Sequence, residues 1–297
     1  VALDIGGTTT DIAVFADAVP LLEPYGVQID RFKTLIRGLQ TKSIGIGGDS
    51  RVKLEAGNLV VGPEREGPAA ACGGAYPTPT DAMVVLGLTD FGDRGTAEAA
   101  IAGIAEQWKR SVLETAKAIY EESCLKIASH VSEMIRKIND KPVYTIHELL
   151  EGKRLAPKVL YVVGGPAGAM APRLGELLGC PVQIPPNAEV ANAIGAALAR
   201  ATAELTLLAD TERKTLVVAE EGLQMPIPAR FSREDAVKIG MEKLREKAAV
   251  MGAEEKDLAI EVVESQEFNM VRGFYTSGKN IRVKLQIKPG LISDSSK

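Results

Sequence analysis

The stretch Val1-Ala2-Leu3-Asp4-Ile5-Gly6-Gly7-Thr8-Thr9-Thr10-Asp11 decides the fold of this 297-residue chain. The residues before the glycines are mostly apolar and β-prone, and Ile12 to Phe15 resume the strand pattern after them. The pattern therefore predicts a β-hairpin with the two glycines at its tip. Backbone N–H groups and the three threonine hydroxyls can converge on an anion at such a tip, so we expect a phosphate site. The alternative is an ordinary tight hairpin, which Gly-Gly also forms.

A second glycine motif follows the apolar segment Lys158-Val159-Leu160-Tyr161-Val162-Val163. This segment predicts a strand that runs directly into Gly164, Gly165 and Pro166, and a helix is predicted from Ala167 to Leu178. A helix start offers free N–H groups and a positive dipole potential, and the glycines let a phosphate or a flat ring approach the backbone. The alternative is a simple turn between a strand and a helix.

The two glycine motifs, with the small-residue helix expected over Ala191 to Arg200, resemble the nucleotide-binding signature of the actin, Hsp70 and sugar-kinase superfamily. The resemblance implies an α/β fold, namely a ribonuclease H-like lobe whose mixed sheet is flanked by helices. In that superfamily the hairpin holds phosphate and the Gly-Gly turn holds adenosine. The implied phosphate ligands are Gly6, Gly7, Thr8 and Thr9, and the implied adenosine seat is Gly164, Gly165 and Pro166.

Four shorter segments lie between the two motifs. In order they are Ser43-Ile44-Gly45-Ile46-Gly47-Gly48-Asp49-Ser50, Val61-Gly62-Pro63-Glu64-Arg65-Glu66-Gly67, Ala71-Cys72-Gly73-Gly74 and Pro77-Thr78-Pro79-Thr80-Asp81-Ala82. Over about residues 1 to 203 this series resembles the hydantoinase A/oxoprolinase family. The chain departs from the family pattern at Arg65-Glu66-Gly67, where a small Ser-Ala-Gly is usual, and at Asp49, where a third glycine is usual.

The family resemblance implies an ATP-dependent hydrolase that opens a cyclic amide, such as a hydantoin or 5-oxoproline, by phosphorylating its carbonyl oxygen. ATP and Mg²⁺ are the implied cofactors, and Asp4 and Asp11 would orient the magnesium ion or a water, with Asp4 acting through magnesium-bound waters. Two other functions remain open: an ATP-dependent reactivase-type chaperone of a radical or corrinoid enzyme, and a subunit of an ATP-dependent carboxylase. For both aspartates the alternative is local hydrogen bonding that stiffens the hairpin.

The four residues expected near a substrate are Gly47, Gly48, Cys72 and Asp81. Cys72 has the alternative of a small side chain packed beside the glycines that follow it. Asp81 has the alternative of a helix N-cap, because Thr80-Asp81 precedes an apolar helix pattern.

The resemblance also concerns partners. Family members carry two Asp-x-Gly-Gly-Thr hairpins, one in each lobe of a nucleotide cleft, and this sequence contains one. We therefore expect a missing N-terminal lobe or a separate subunit in its place. A hydantoinase B-like subunit is a further expected partner.

Composition limits the remaining classes of function. A formal net charge of −4 and 4% aromatic residues argue against nucleic-acid binding. No apolar run of about 18 residues and no signal peptide occur, so we expect no membrane segment. Cys72, Cys124 and Cys180 are odd in number and widely spaced, which favours reduced thiols and a cytoplasmic location. His130 and His147 have no second ligand at zinc-binding spacing.

The pattern along the chain predicts an ATPase-type nucleotide-binding lobe over residues 1–204 and a small α+β domain over residues 205–297. The elements predicted in the lobe are a hairpin over 52–61 with its turn at 56–58, a helical region over 97–138 interrupted near 123–124, a strand over 181–184 and a helix over 191–200 packed closely on the sheet. In the second domain, a linker-like segment over 220–228 precedes a helix over 233–251 capped by Ser232. Strands are predicted over 258–264 and 281–287, with an exposed turn within 271–279.

Overall fold

The computed structural model describes residues 1–16, 19–23, 26–29, 32–34, 38–140 and 154–292. They form two compact units, Val1–Ala193 and Ile194–Lys297. The expected domain boundary at residues 204 and 205 falls inside the second unit, at the start of a strand. His147 lies outside the described residues.

The described strands are, in chain order, β1 (Ala2–Ile5), β2 (Thr10–Ala13), β3 (Phe15–Ala16), β4 (Val19–Pro20), β5 (Leu22–Glu23), β6 (Gln28–Ile29), β7 (Phe32–Lys33), β8 (Gly38–Leu39), β9 (Thr41–Ile44), β10 (Val52–Glu55), β11 (Asn58–Val61), β12 (Leu160–Val163), β13 (Val182–Gln183), β14 (Glu204–Asp210), β15 (Thr215–Val218), β16 (Leu223–Pro226), β17 (Ile260–Arg272) and β18 (Tyr275–Ile287). The described α-helices are α1 (Pro79–Val85), α2 (Arg94–Trp108), α3 (Val112–Asn139), α4 (Ala167–Leu178), α5 (Ala191–Leu198) and α6 (Arg233–Val250). None of these helices is long and apolar enough to cross a membrane.

The main sheet of the first unit is mixed and has the order β13-β12-β1-β2-β9. Strand β1 is antiparallel to β2, as the hairpin pattern predicts, and parallel to β12. Leu3, Ile5 and Ile12 are fully buried in its core, where they join side chains from α3 and α4 such as Ile127 and Leu174. The alternation of buried and partly exposed residues in β1 is the period-two pattern of a strand with one apolar face. The result is a mixed α/β fold.

The helical region of the first unit is interrupted at a different place from the predicted one. The break lies between α2 and α3, where Lys109 adopts the left-handed conformation and Ser111 begins α3 with a capping box to Glu114. The prediction of a break near Ser123 and Cys124 is wrong. The Ser123 hydroxyl donates to the carbonyl of Ile119 at 2.7 Å, so a buried polar residue is accommodated without leaving the helix.

Two smaller expectations for the first unit also need correction. The β10–β11 hairpin turns on two residues, Ala56 and Gly57, both at positive φ, and Asn58 already belongs to the strand. This is the geometry favoured in two-residue hairpin loops. Helix α5, predicted over residues 191–200, ends at Leu198 and has no buried residue.

The second unit is an α+β structure, as expected. Its antiparallel sheet has the order β16-β15-β14-β18-β17, and α6 packs on it so closely that a Cβ on Gly240 would lie 2.9 Å from Leu207 Cδ1. Ser232 caps α6 through the predicted capping box with Asp235. The segment 220–228 is not a linker, because it contains β16. The strand predicted over 258–264 extends to Arg272, since β17 and β18 form one long hairpin.

Candidate phosphate-binding site

The two glycine motifs lie at the same edge of the main sheet. Asp4 of β1 pairs with Val163 of β12 in parallel register. The residues that follow the two strands, Gly6–Gly7 and Gly164–Gly165, therefore both lie at the carboxyl edge. Ligands bind at this edge in open α/β sheets.

A third glycine segment packs on the hairpin tip. The Gly48 N–H donates to the Gly6 carbonyl at 2.9 Å, and the Asp49 N–H donates to the Gly7 carbonyl at 2.7 Å. A Cβ on Gly47 would lie 2.5 Å from the Gly7 oxygen, so only glycine permits this approach. A Cβ on Gly48 would lie 2.7 Å from the hydroxyl oxygen of Thr80 and 3.0 Å from the Pro166 ring. Gly47 and Gly48 thus let this segment pack closely against both the hairpin tip and the Pro166 ring of the β12–α4 turn.

The hairpin tip presents a row of unpaired donors. The Gly6 N–H closes the turn by donating to the Thr9 carbonyl at 2.9 Å. Among the described residues, no acceptor is bonded to the N–H groups of Gly7, Thr8 and Thr9. The same holds for the N–H of Gly165 at the start of the β12–α4 turn. Successive free N–H groups in a turn form an anion-binding concavity, so the geometry suits a phosphate group.

The two neighbouring glycines of the second motif have different surroundings. Gly164 has a φ of 95°, and a Cβ there would collide with the Ile5 carbonyl and lie 3.0 Å from Asp4 Oδ1. Gly165 has no atom within 4 Å of its Cβ position among the described residues. Gly164 is therefore required by packing, whereas Gly165 leaves open space above the backbone.

Two carboxylates face each other across the hairpin. Asp4 pairs directly with Asp11 in the antiparallel register, which places both side chains on one face of the sheet. Burial, first, and the charge of Asp11, second, raise the pKa of Asp4 above its ordinary value of 3.8. A cation would relieve this repulsion. Within the described part of the chain, no group of three or more acidic, histidine or cysteine residues could hold a metal by itself. The pair therefore suits Mg²⁺ that keeps waters and phosphate oxygens as its other ligands.

Other residues singled out from the sequence have structural contacts. The Thr10 hydroxyl is buried and donates to the Ile46 carbonyl at 2.7 Å, so it does not join the other threonines at the tip. Asp81 is fully buried, and its carboxylate accepts hydrogen bonds from the N–H groups of Ala70, Ala71 and Thr78 and from the Thr78 hydroxyl. Asp81 is the third helical residue of a capping box whose N-cap is Thr78. These bonds give Asp81 a structural role at the start of α1.

Cys72 is exposed. Desolvation, first, and the charges of Asp49 and Asp81, second, raise the pKa of its thiol above the ordinary 9.0. The thiol is therefore protonated at neutral pH and is a poor nucleophile.

Arg65 and Asp49 belong to the site, although the sequence did not single them out as ligands. The Arg65 guanidinium donates to the Thr8 hydroxyl at 2.9 Å and to Asp49 Oδ2 at 2.8 Å. The signal was present in the sequence, because Arg65 and Asp49 are the two departures from the family pattern. The structure shows that they pair with each other over the hairpin tip.

Comparisons with known proteins bear on the family and the fold of the chain. The hydantoinase/oxoprolinase family model matches residues 1–205. Acetophenone carboxylase gamma subunit from Aromatoleum aromaticum is 38% identical over an alignment of 94 residues that covers 29% of this chain and 13% of that protein. A nucleotide-free acetone carboxylase structure has a TM-score of 0.67 at 16% identity, covering 99% of this chain and 46% of that chain.

An ATP-dependent caprolactamase from Pseudomonas jessenii has a TM-score of 0.54 at 20% identity, covering 96% of this chain and 45% of that chain. This chain thus spans less than half the length of both solved relatives. At such low identity the two structures establish the likeness of fold alone. The family model covers well over half of the sequence, and the chain therefore belongs to the hydantoinase/oxoprolinase family.

Proposed function

We propose that the first unit is the phosphate-binding lobe of an ATP-dependent enzyme that activates a carbonyl group by phosphoryl transfer. The observation that carries the proposal is the row of unbonded N–H groups at Gly7, Thr8 and Thr9, at the same sheet edge as Gly165 and beside the Asp4–Asp11 pair. The names of the two solved relatives, one a lactamase and one a carboxylase, both include ATP dependence, which supports the same chemistry.

In this proposal the lobe is ribonuclease H-like and each motif has one task. Gly7, Thr8 and Thr9 hold the phosphates through backbone N–H groups and a hydroxyl, and Gly6, proposed with them, closes the turn that presents these groups. Gly164, Gly165 and Pro166 seat the adenosine at the start of α4. Asp4 and Asp11 hold Mg²⁺ or its waters, and the magnesium neutralises phosphate charge.

The substrate proposed first is a cyclic amide. An amide carbonyl resists attack by water because its resonance is lost in the tetrahedral state. Transfer of the terminal phosphoryl group of ATP to the carbonyl oxygen turns that oxygen into a leaving group. Water then adds to the carbon, and the tetrahedral intermediate expels the protonated nitrogen to leave an acyl phosphate. A second water hydrolyses the acyl phosphate to the carboxylate and inorganic phosphate. Gly47, Gly48 and Cys72 lie beside the hairpin segment or in the loops that follow it, and are the proposed neighbours of the substrate.

A carboxylase subunit is the second candidate, and the 38% identity to a carboxylase gamma subunit favours it. In that reaction, phosphoryl transfer would activate the oxygen of a ketone or of bicarbonate. The same hairpin would hold the phosphates, so the two candidates differ in the acceptor of the phosphoryl group and share the ATP site.

We also propose that the cleft is completed by a second lobe, on another stretch of chain or on another subunit. A hydantoinase B-like subunit is the proposed partner for the substrate. The curated relative is itself named as one subunit of a carboxylase, which is consistent with a multi-subunit assembly.

Two measurements test the proposal. The first follows the amide resonances of Gly7, Thr8, Thr9 and Gly165 while MgATP is added to the 297-residue chain. We expect shifts confined to these positions, and no shift at millimolar MgATP would reject the ATP site. The second measures ADP release by the chain assembled with its partner subunits, with a hydantoin or 5-oxoproline, with a ketone and bicarbonate, or with neither. Release that depends on the cyclic amide supports the hydrolase, and release that depends on bicarbonate supports the carboxylase. Release without either supports the reactivase-type alternative.

A further inference from the structure

The guanidinium of Arg65 lies over the hairpin tip. It is held by two side chains, the Thr8 hydroxyl at 2.9 Å and Asp49 Oδ2 at 2.8 Å, and its Nε contacts the Gly67 carbonyl at 3.4 Å. The side chain of Arg65 is nevertheless 42% exposed, so a ligand can reach it. A planar fork of donors beside free backbone N–H groups is the arrangement that proteins use for phosphate.

The carboxylate of Asp49 occupies the space directly above Gly7. Its Oδ2 lies 2.5 Å from the position that a Cβ on Gly7 would take, and Arg65 Nη2 lies 3.8 Å from the same position. The backbone of Asp49 is fixed, because its N–H donates to the Gly7 carbonyl. Its side chain is therefore the part that can move. A negative group thus already lies beside Gly7, the first of the three residues with a free N–H group at the tip.

The segment that carries Arg65 is anchored independently of the tip. The Arg51 N–H donates to the Glu64 carbonyl at 2.7 Å, and the Gly62 N–H donates to the Arg51 carbonyl at 2.9 Å. The Arg51 guanidinium forms an ion pair with Glu66 and lies 4.1 Å from the centre of the Tyr76 ring. These contacts hold the backbone at Arg65 in place when the partner of its guanidinium changes.

We propose that Arg65 is a side-chain ligand for the phosphate bound at the hairpin tip, and that Asp49 occupies the phosphate position until a phosphate displaces it. The inference rests on the proposed function, since it assumes that the tip binds phosphate. Arg65 exchanges one oxyanion for another and keeps its bond to Thr8. Asp49 competes with the ligand both for the guanidinium and for the space above Gly7. The phosphate affinity of the tip therefore depends on how much more tightly this position holds phosphate than it holds the Asp49 carboxylate.

The test titrates inorganic phosphate, and separately MgATP, into the 297-residue chain and its variants, following the amide resonances of Gly7, Thr8 and Thr9. Arg65→Gln should weaken phosphate binding about tenfold or more, because a charge-assisted fork is lost. Arg65→Lys keeps the charge and loses the planar fork of donors. Its phosphate affinity should therefore lie between those of the parent chain and of Arg65→Gln. Asp49→Asn should tighten phosphate binding severalfold because the competing charge is removed. Arg213→Gln and Asp140→Asn make the same changes of net charge at exposed positions and should leave the affinity unchanged.

The outcomes separate this inference from the proposed function. If the tip binds phosphate equally well with Arg65→Gln, the role of Arg65 is wrong and the ATP site stands. If Asp49→Asn weakens binding, Asp49 positions Arg65 and does not compete. If the amide resonances of neither the parent chain nor the Asp49→Asn variant shift on addition of phosphate or MgATP, this inference and the proposed function are both wrong.

Discussion

Gly164 and Gly165 are adjacent in sequence, yet one supports the fold and the other faces open space. Gly164 adopts a positive φ and lies against the Ile5 carbonyl, whereas Gly165 has no neighbour within 4 Å among the described residues. We expect Gly165→Leu to fold with an almost unchanged melting temperature and to lose ATP binding, because the side chain fills the adenosine position. Thermal unfolding and MgATP titration of the amide resonances measure the two effects.

Gly164→Ala is the matched control for that pair. Left-handed backbone strain in a residue with a Cβ costs about 1–3 kcal/mol, and the collision with the Ile5 carbonyl adds to it. The control should therefore be destabilised although its side chain is smaller. An unfolded Gly165→Leu variant, or one that binds ATP normally, would contradict the division of roles.

The raised pKa of Asp4 makes its ionisation unfavourable to folding. A carboxyl with a raised folded-state pKa contributes stability that is complete below the ordinary value of 3.8 and is lost as pH rises through the folded-state value. At pH 7, Asp4 therefore costs stability, and Asp4→Asn should raise the free energy of unfolding. The gain should shrink as pH falls through the folded-state value and should vanish below the ordinary value of 3.8, which denaturant unfolding at several pH values would show.

Function should change in the opposite direction at the same residue. If Asp4 holds Mg²⁺ or its waters, Asp4→Asn in the assembled enzyme lowers kcat by about two orders of magnitude or more. Asp11→Asn is the companion variant. Asp11→Asn should reverse only part of the rise in the pKa of Asp4, because burial is the larger cause of that rise. An Asp4→Asn enzyme that keeps most of its activity would show that Asp4 does not hold the magnesium ion. Phosphate binding would then be the only proposed function of the hairpin.

At the scale of elements, Asp81 connects the start of α1 to the short 3₁₀ turn Ala70–Cys72. Asp81→Asn replaces an oxygen that accepts several hydrogen bonds with an amide group that donates. Leaving buried donors unpaired costs about 1–3 kcal/mol each, so we expect a loss of about 3 kcal/mol or more in chemical unfolding. Asp93→Asn, at the exposed N-cap of α2, should be nearly neutral because asparagine is an equally good N-cap. A stable Asp81→Asn variant with impaired substrate kinetics would instead indicate that Asp81 acts on the substrate.

The elements that could be predicted are those whose signals are local. The hairpin β1–β2, helix α4 and the capped helix α6 follow from strand alternation, a Gly-Gly-Pro turn and a capping box. The break between α2 and α3 also has a local signal, which is the Ser111–Glu114 capping box. The prediction placed the break at the polar pair Ser123-Cys124 instead. Apolar spacing alone does not tell whether a buried serine ends a helix or bonds back to it.

At the scale of the whole molecule, the placement of the two glycine motifs at one edge of the main sheet could be predicted. The carboxyl ends of neighbouring parallel strands lie at the same edge of a sheet. The arrangement of Gly48, Asp49 and Arg65 could not be predicted. It depends on contacts between residues far apart in sequence, such as Arg65 with Thr8, and on a carboxylate that takes the place of a usual glycine. The family pattern identifies Asp49 and Arg65 only as departures, and the geometry shows that these two residues pair with each other.

The exposure of the site gives the last prediction, which concerns affinity. Thr8 is exposed, Arg65 is 42% exposed, and no described residue covers Gly165. Ligand sites of full affinity bury most of the ligand surface, so a site open on one side forgoes much of the desolvation that strengthens phosphate contacts. We therefore expect the 297-residue chain alone to bind MgATP with a Kd of about 0.1 mM or weaker. Calorimetry with Gly165→Leu as the control measures this, and addition of the lobe or subunit that completes the cleft should tighten it. Submicromolar affinity, or steady ATP hydrolysis by the chain alone, would show that the lobe needs no second half.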